Sequence, residues 1–295
     1  SFMATDVDSC SHMAFVTSDR IWIGCENNFY LKDTNGDTFF HQEGPLNEFS
    51  FYNPAAYFTV TNEKGLVFIN NDHNIVKLSH DMEKITTLIN TPYNNKGPCC
   101  VYFAPFAGDL LVGFMGYDDL DNKTWINRYD ELGRLKQTIQ YNESGYRLFT
   151  LPSHIAENNN GDVVVSDYDP ESGAVVVTER CGKYRFSYTG HTGIQPRGIC
   201  TDALSNILVC DDRTQELHIL NNDGQFLSSH LLPSSYFYLS SVSYDADTDC
   251  LWVCFDRKIF VYKYISLQDS HTGGEGLEEV YLSKQHGKSG MAASF

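Results

Sequence analysis

Six short runs rich in β-branched and aromatic residues recur along the chain, each opened by a small or polar residue: RIWIG at 20–24, GLVFI at 65–69, DLLVG at 109–113, DVVVS at 162–166, NILVC at 206–210 and CLWVC at 250–254. Their centres, Trp22, Val67, Leu111, Val164, Leu208 and Trp252, stand 45, 44, 53, 44 and 44 residues apart. Apolar runs of this length bounded by turn residues read as buried strands. A fixed period of this size marks a repeat architecture, which governs the reading of every single residue. The one long interval holds the polar run 117–124, where an insertion fits.

Each period has room for four strands. In the clearest unit they fall at 195–200, 206–210, 216–220 and 225–231, with Asn222-Asp223-Gly224 turning the third into the fourth. Comparable turns stand at Asn35-Gly36, Leu132-Gly133 and Cys181-Gly182, where glycine supplies the positive φ of a tight hairpin. No segment carries an apolar stripe at helical spacing with a capping signature, so few or no helices are expected. Four-stranded units at this period are the signature of a β-propeller. The expected fold is therefore all-β: one six-bladed propeller of four-stranded antiparallel blades over 1–284, with blades near 10–48, 53–92, 98–141, 150–190, 195–232 and 238–284. The tail 285–295 reads as disordered, and either 278–283 or 4–8 is expected to supply the last outer strand.

Composition narrows the partners. The 295 residues carry 38 acidic against 21 basic side chains, a formal net charge of −17, and 42% are hydrophobic. Such an excess opposes extended contact with polyanions, which depends on Lys and Arg neutralising phosphates. No run approaches the roughly 20 apolar residues of a membrane span, and the opening SFMATDVDSCSHM lacks the basic and apolar regions of a signal peptide. Nine cysteines, several inside apolar runs, favour reduced thiols and a cytoplasmic setting.

Gln195-Pro196-Arg197-Gly198-Ile199, then Asn206-Ile207-Leu208-Val209-Cys210-Asp211, then Leu217-His218-Ile219-Leu220-Asn221 resembles an NHL repeat. That pattern runs Pro-x-Gly-Ile, Gly-Asn, an apolar strand ending in Asp, and an apolar strand leading to Asp-x-x-Gly. Pro152 and Ile155 through Gly161-Asp162-Val163-Val164-Val165-Ser166-Asp167 is a second match; the other four units are degenerate. The chain is most similar to the C-terminal NHL propeller of tripartite-motif (TRIM) proteins. That resemblance implies a non-catalytic recognition module of a ubiquitin ligase whose RING, B-boxes and coiled coil lie elsewhere. It also implies a protein or peptide partner, with RNA as the alternative, and an isolated domain that is monomeric.

In a propeller the loops between blades and those joining second to third strands emerge on one face, and loops presented by a rigid scaffold carry function. On that face fall Asn53-Pro54, Asn71-Asp72-His73-Asn74, 117–124, Tyr168-Asp169-Pro170-Glu171, Arg197 with Asp212-Arg213, and Asp256-Arg257-Lys258. Arg197, Arg213, Arg257 and Lys258 would make a basic patch able to grip an acidic peptide, with Asp212, His73 and Tyr168 beside it. Alternatively the arginines pair with Asp211, Asp212 or Asp256 as solvated neighbours. Asp167 and Asp211, closing the second strands, read as turn-forming carboxylates that accept backbone amides.

A second constellation stands at the start of the innermost strands, where His12, Tyr57, Cys100, His154, Gly198 and Ser241 are equivalent to within about one residue. His12, Tyr57 and His154 are the expected channel-mouth residues. Two imidazoles and a thiol around one axis could bind Zn²⁺, which would make the chain a propeller lyase or hydrolase. A slip of one residue would reverse these side chains, and the reading assigns no metal, cofactor or catalytic residue. Asp118-Asp119-Leu120-Asp121-Asn122 lacks the spacing of a calcium loop.

Overall fold

The computed structural model describes residues 2–4, 10–25, 28–33, 35–43, 58–91, 96–116, 123–231, 239–255, 258–264 and 283–284. Among them every regular element is a strand, and no helix is long and apolar enough to cross a membrane. Six antiparallel sheets follow one another along the chain as blades I to VI. Blade I comprises His12–Thr17, Arg20–Cys25, Asn28–Asp33 and Thr38–Glu43, paired in that order from the inner strand to the outer. Blades II to V repeat the order, with inner strands Phe58–Val60, Lys96–Ala104, Pro152–Glu157 and Pro196–Thr201. The inner strands touch in sequence, and that of blade VI, Leu239–Asp245, returns against that of blade I. The fold is a six-bladed propeller.

The six apolar runs are the second strands, and the repeat centres pair with the inner strands at like positions: Ala14 with Trp22, Thr59 with Val67, Tyr102 with Leu111, Ala156 with Val164, Cys200 with Leu208 and Ser243 with Trp252. Burial explains why these runs are continuous rather than alternating. Successive strand residues face opposite sides of a sheet, and each blade is covered on both sides. Val163 and Val165 pack against blade III, while Val164 between them packs against blade V. The core is accordingly six apolar clusters, one per blade junction.

Gly36, Gly133, Gly182 and Gly224 all take positive φ at the hairpins between third and fourth strands, as their turn sequences imply. In blade VI the strand Lys258–Lys263 carries two short partners at its outer edge. Phe2–Ala4 pairs with 258–260, and Ser283–Lys284 pairs with 262–263. Ala4 and Ser283 thus come from the two segments considered for closure; the rest of 278–283 and 4–8 lies outside the described residues.

Candidate active site at the channel mouth

The mouth is shaped by repeated irregularity. Pairing between inner and second strands slips between Pro98 and Cys100, Pro152 and His154, Pro196 and Ile199, and Leu239 and Ser241. Proline lacks the N–H for a ladder bond and tolerates the first strand position, while a bulge re-aims the next side chain. The residue before the channel position is serine in three blades. The hydroxyls of Ser11 and Ser153 donate to second-strand carbonyls, at Gly24 (3.3 Å) and Ser166 (3.1 Å), while Ser240 Oγ lies 3.2 Å from the Cys254 carbonyl and closer to that of Cys10. Further bonds tie blade to blade, from Ser166 Oγ to the Arg197 carbonyl (2.6 Å) and from Ser240 Oγ to the Cys10 carbonyl (2.7 Å).

His12 and His154 meet across this ring. Their centroids are 5.5 Å apart, although blades I and IV stand opposite each other among six, so the contact spans the axis. His12 also sets its ring against the edge of Phe58, at 4.7 Å. Tyr57 lies outside the described residues, and its neighbour Phe58 occupies the blade II side of the mouth. Gly24 and Gly113 leave room here: a Cβ on Gly24 would fall 2.8 Å from Phe58 Cε1, and one on Gly113 would fall 2.5 Å from Cys100 Sγ. Gly198 is equally constrained, since its Cβ would fall 2.5 Å from the Cα of Ser241.

Burial holds both imidazoles neutral. It lowers the pKa of His12 to about 4, opposed by a backbone hydrogen bond with Phe58. It drives His154 well below the ordinary histidine range, assisted by the nearby His12 and Arg197. The hydrogen bonds also fix where the protons sit. Ser153 has one hydroxyl proton, given to the Ser166 carbonyl, so its oxygen accepts from His154 Nδ1 at 3.2 Å. His154 Nε2 is thereby left as a bare lone pair, buried and without a partner. In His12 the unpartnered nitrogen is Nδ1.

Arg197 completes the site. Its guanidinium donates to Asp212 at 2.6 Å and lies over the Tyr168 ring at 4.9 Å, leaving Nε buried and unpartnered. Ser241 Oγ is likewise buried without a partner. The mouth therefore holds two unpartnered imidazole nitrogens, one cationic N–H and one hydroxyl, contributed by blades I, IV, V and VI. Buried polar atoms are paired in the great majority of cases; here His12 and His154 meet, Arg197 is near enough to act on His154, and Ser241 holds the like inner-strand position in blade VI, so a ligand at the mouth would find unsatisfied partners.

The other sequence candidates are placed differently. Asp167 accepts the amides of Thr150 and Leu151, and Asp211 accepts those of Gln195 and Arg213, so both clamp interblade loops. Burial raises Asp167 to about 6. Arg213 is exposed on the rim, with its side chain beside Gly193 rather than in the mouth. His73 takes positive φ in the hairpin between the second and third strands of blade II, Lys258 opens the third strand of blade VI, and Arg257 lies outside the described residues. Arg197 pairs with Asp212, the second of the two arrangements the sequence allowed for the arginines. Sequence reasoning missed Phe58, Ser153 and Ser240; the prolines at 98, 152 and 196 were the available signal for the bulges.

No protein-family model matches the chain, and no curated protein sequence matches it. Solved structures do. A gluconolactonase from Xanthomonas campestris is similar over 87% of this chain and 86% of its own, at 14% identity and a TM-score of 0.63. A catalytically inactive histidine-to-alanine variant of virginiamycin B lyase from Staphylococcus aureus, with quinupristin, covers 88% and 84% at 14% identity and a TM-score of 0.60. The calcium-binding protein regucalcin from Agrobacterium tumefaciens covers 84% and 82% at 12% identity and a TM-score of 0.61. At such identities the likeness is one of fold. It corrects the expectation of a non-catalytic TRIM-type recognition module, and with it the reading that the chain is not an enzyme, because the propellers it is similar to include a gluconolactonase and a lyase. A likeness to NHL or TRIM propellers is not among these findings.

Calcium does not match the donors present. Calcium takes six to eight oxygens, several from carboxylates. Here Asp167 and Asp211 are engaged by amides and Asp212 by Arg197, while a guanidinium faces the site. Among the described residues no group of three or more His, Cys, Asp or Glu side chains could hold a metal ion.

Proposed function

We propose that this propeller is a hydrolase or lyase acting at its channel mouth, with His12 and His154 handling protons and Arg197 and Ser241 orienting the substrate. The observation that carries this reading is the pair of neutral imidazoles meeting across the axis with unpartnered nitrogens, beside a buried guanidinium N–H. The fold's likeness to a gluconolactonase and a lyase supports it, as does the loss of activity on replacing a histidine in that lyase.

For an ester or lactone, His154 Nε2 accepts a proton from water as the water oxygen bonds to the carbonyl carbon. The Arg197 N–H and the Ser241 hydroxyl donate to the oxygen that becomes negative. As the acyl–oxygen bond breaks, the imidazolium returns the proton to the leaving alkoxide. In a dry site such groups are worth more than in water, and general acid–base catalysis contributes typically 10²–10⁴-fold. Glucono-δ-lactone and p-nitrophenyl acetate are suitable first probes. Activity should fall by about two orders of magnitude in His154→Gln, while Arg213→Gln on the rim keeps it. Turnover that survives in His12→Gln and His154→Gln alike would remove the channel from the mechanism.

A further inference from the structure

The four orphaned atoms do more than locate a ligand, for their donor and acceptor characters specify it. Arg197 Nε and Ser241 Oγ offer protons, whereas His154 Nε2 and His12 Nδ1 are unpartnered nitrogens. The Ser153 bond fixes the His154 nitrogen as an acceptor. A cation finds a guanidinium in its way, and an anion alone finds the His154 lone pair. A carboxylate arriving with one proton matches three of the four: its oxygens accept from Arg197 and Ser241, and the proton turns the His154 Nε2 acceptor into a third donor.

From this arrangement we infer that the channel mouth binds a small carboxylate together with one proton, the proton being held on His154. The inference rests on the proposed hydrolytic reading, since carboxylate plus proton is what ester or lactone hydrolysis leaves behind. It differs from the calcium binding named for the regucalcin propeller, because a charge-assisted guanidinium contact takes the place of a cation.

Several charged and titratable groups face this pair. Blade I brings His12 itself, and blade III brings the Cys99 and Cys100 thiols, both donating to the Pro152 carbonyl. Blade IV brings Asp167 and Tyr168, and blade V brings Arg197, Asp211 and Asp212. Asp212 compensates the Arg197 charge, and amides compensate Asp167 and Asp211. Burial pushes the Cys100 thiol well up, so it stays protonated. Both histidines are neutral at pH 7 without ligand, so the added proton comes from solution and has an imidazole as its site.

The test is calorimetric titration of the whole chain with sodium acetate and sodium D-gluconate at constant ionic strength, in buffers of different ionisation heat. About one proton should be taken up per carboxylate at pH 7, and affinity should weaken about tenfold between pH 7 and pH 8. His154→Gln should abolish the uptake. Arg197→Gln should weaken binding tenfold or more with the proton count retained, and supplies the readout if the His154 variant does not fold. Binding with no proton uptake, uptake that persists in His154→Gln, or saturable CaCl₂ binding without carboxylate binding would overturn the inference. Carboxylate binding with proton uptake in a protein that turns over neither probe ester sinks the hydrolase reading alone. Turnover of an ester whose carboxylate product binds without a proton sinks the inference alone.

Discussion

Acid should destabilise this propeller through His12 by an amount that can be isolated. An unfolded histidine titrates near 6.5, whereas burial holds folded His12 at about 4. Between these values the unfolded chain binds a proton that the folded chain does not, so stability is present above 6.5 and is lost as pH falls toward 4. At about 1.4 kcal/mol for each pH unit, going from pH 7 to 4.5 removes roughly 2–3 kcal/mol through this one side chain. Asp167 works the other way: with its folded value raised to about 6, it favours the folded state as pH falls from 6 toward 3.8. Total stability against pH therefore mixes opposite slopes. The difference between wild type and His12→Asn cancels Asp167, which is common to both. Guanidinium unfolding of the two proteins at pH 7 and 4.5 should show wild type losing roughly 2–3 kcal/mol more than the variant. Parallel pH profiles would mean that His12 is not held neutral, and the electrostatic basis of the channel mouth would fall with it.

Two further predictions concern the scaffold around the site. Arg128 is buried between Glu157 (2.7 Å) and Asp109 (3.3 Å), so Arg128→Met should cost about 3–5 kcal/mol, read as a lowered unfolding midpoint, and Arg128→Met with Glu157→Leu should recover part of it; equal losses in single and double variants would contradict a buried ion pair. Gly113→Ala should cost about 1–3 kcal/mol by driving a methyl into Cys100 Sγ, and a double-mutant cycle with Cys100→Ala should show most of that cost relieved, whereas an unchanged cost would place the strain elsewhere.

Much of the scaffold was legible because the blades repeat. Both faces of every second strand are buried against a neighbouring blade, so each must be apolar throughout, and the period of those runs counted six blades. The same period aligned His12, Tyr57, Cys100, His154, Gly198 and Ser241 at the starts of the inner strands; Tyr57 lies outside the described residues, Cys100 stands mid-strand after a bulge, and the others fall within the first three residues of their strands. The direction of each side chain was not legible. In a strand it reverses with a shift of one residue, and bulges near Cys100, His154, Gly198 and Ser241 introduce that shift. Arg197 shows the consequence: its spacing left open whether it joined a basic patch or paired with a neighbouring carboxylate, and the structure shows it bonded to Asp212 over the Tyr168 ring.

Function followed the same division. The NHL-like spacing of blades IV and V describes residues that clamp loops, such as Asp167 and Asp211, and a scaffold pattern of this kind says little about chemistry. The sequence by itself determined an all-β ring with histidines at its inner edge, because hydrophobic period and strand spacing are local properties. Only the tertiary structure decided that the two histidines meet across the axis, with Arg197 near enough to act on His154. That encounter joins residues from blades I and IV, far apart along the chain and brought together solely by the closure of six blades around one channel.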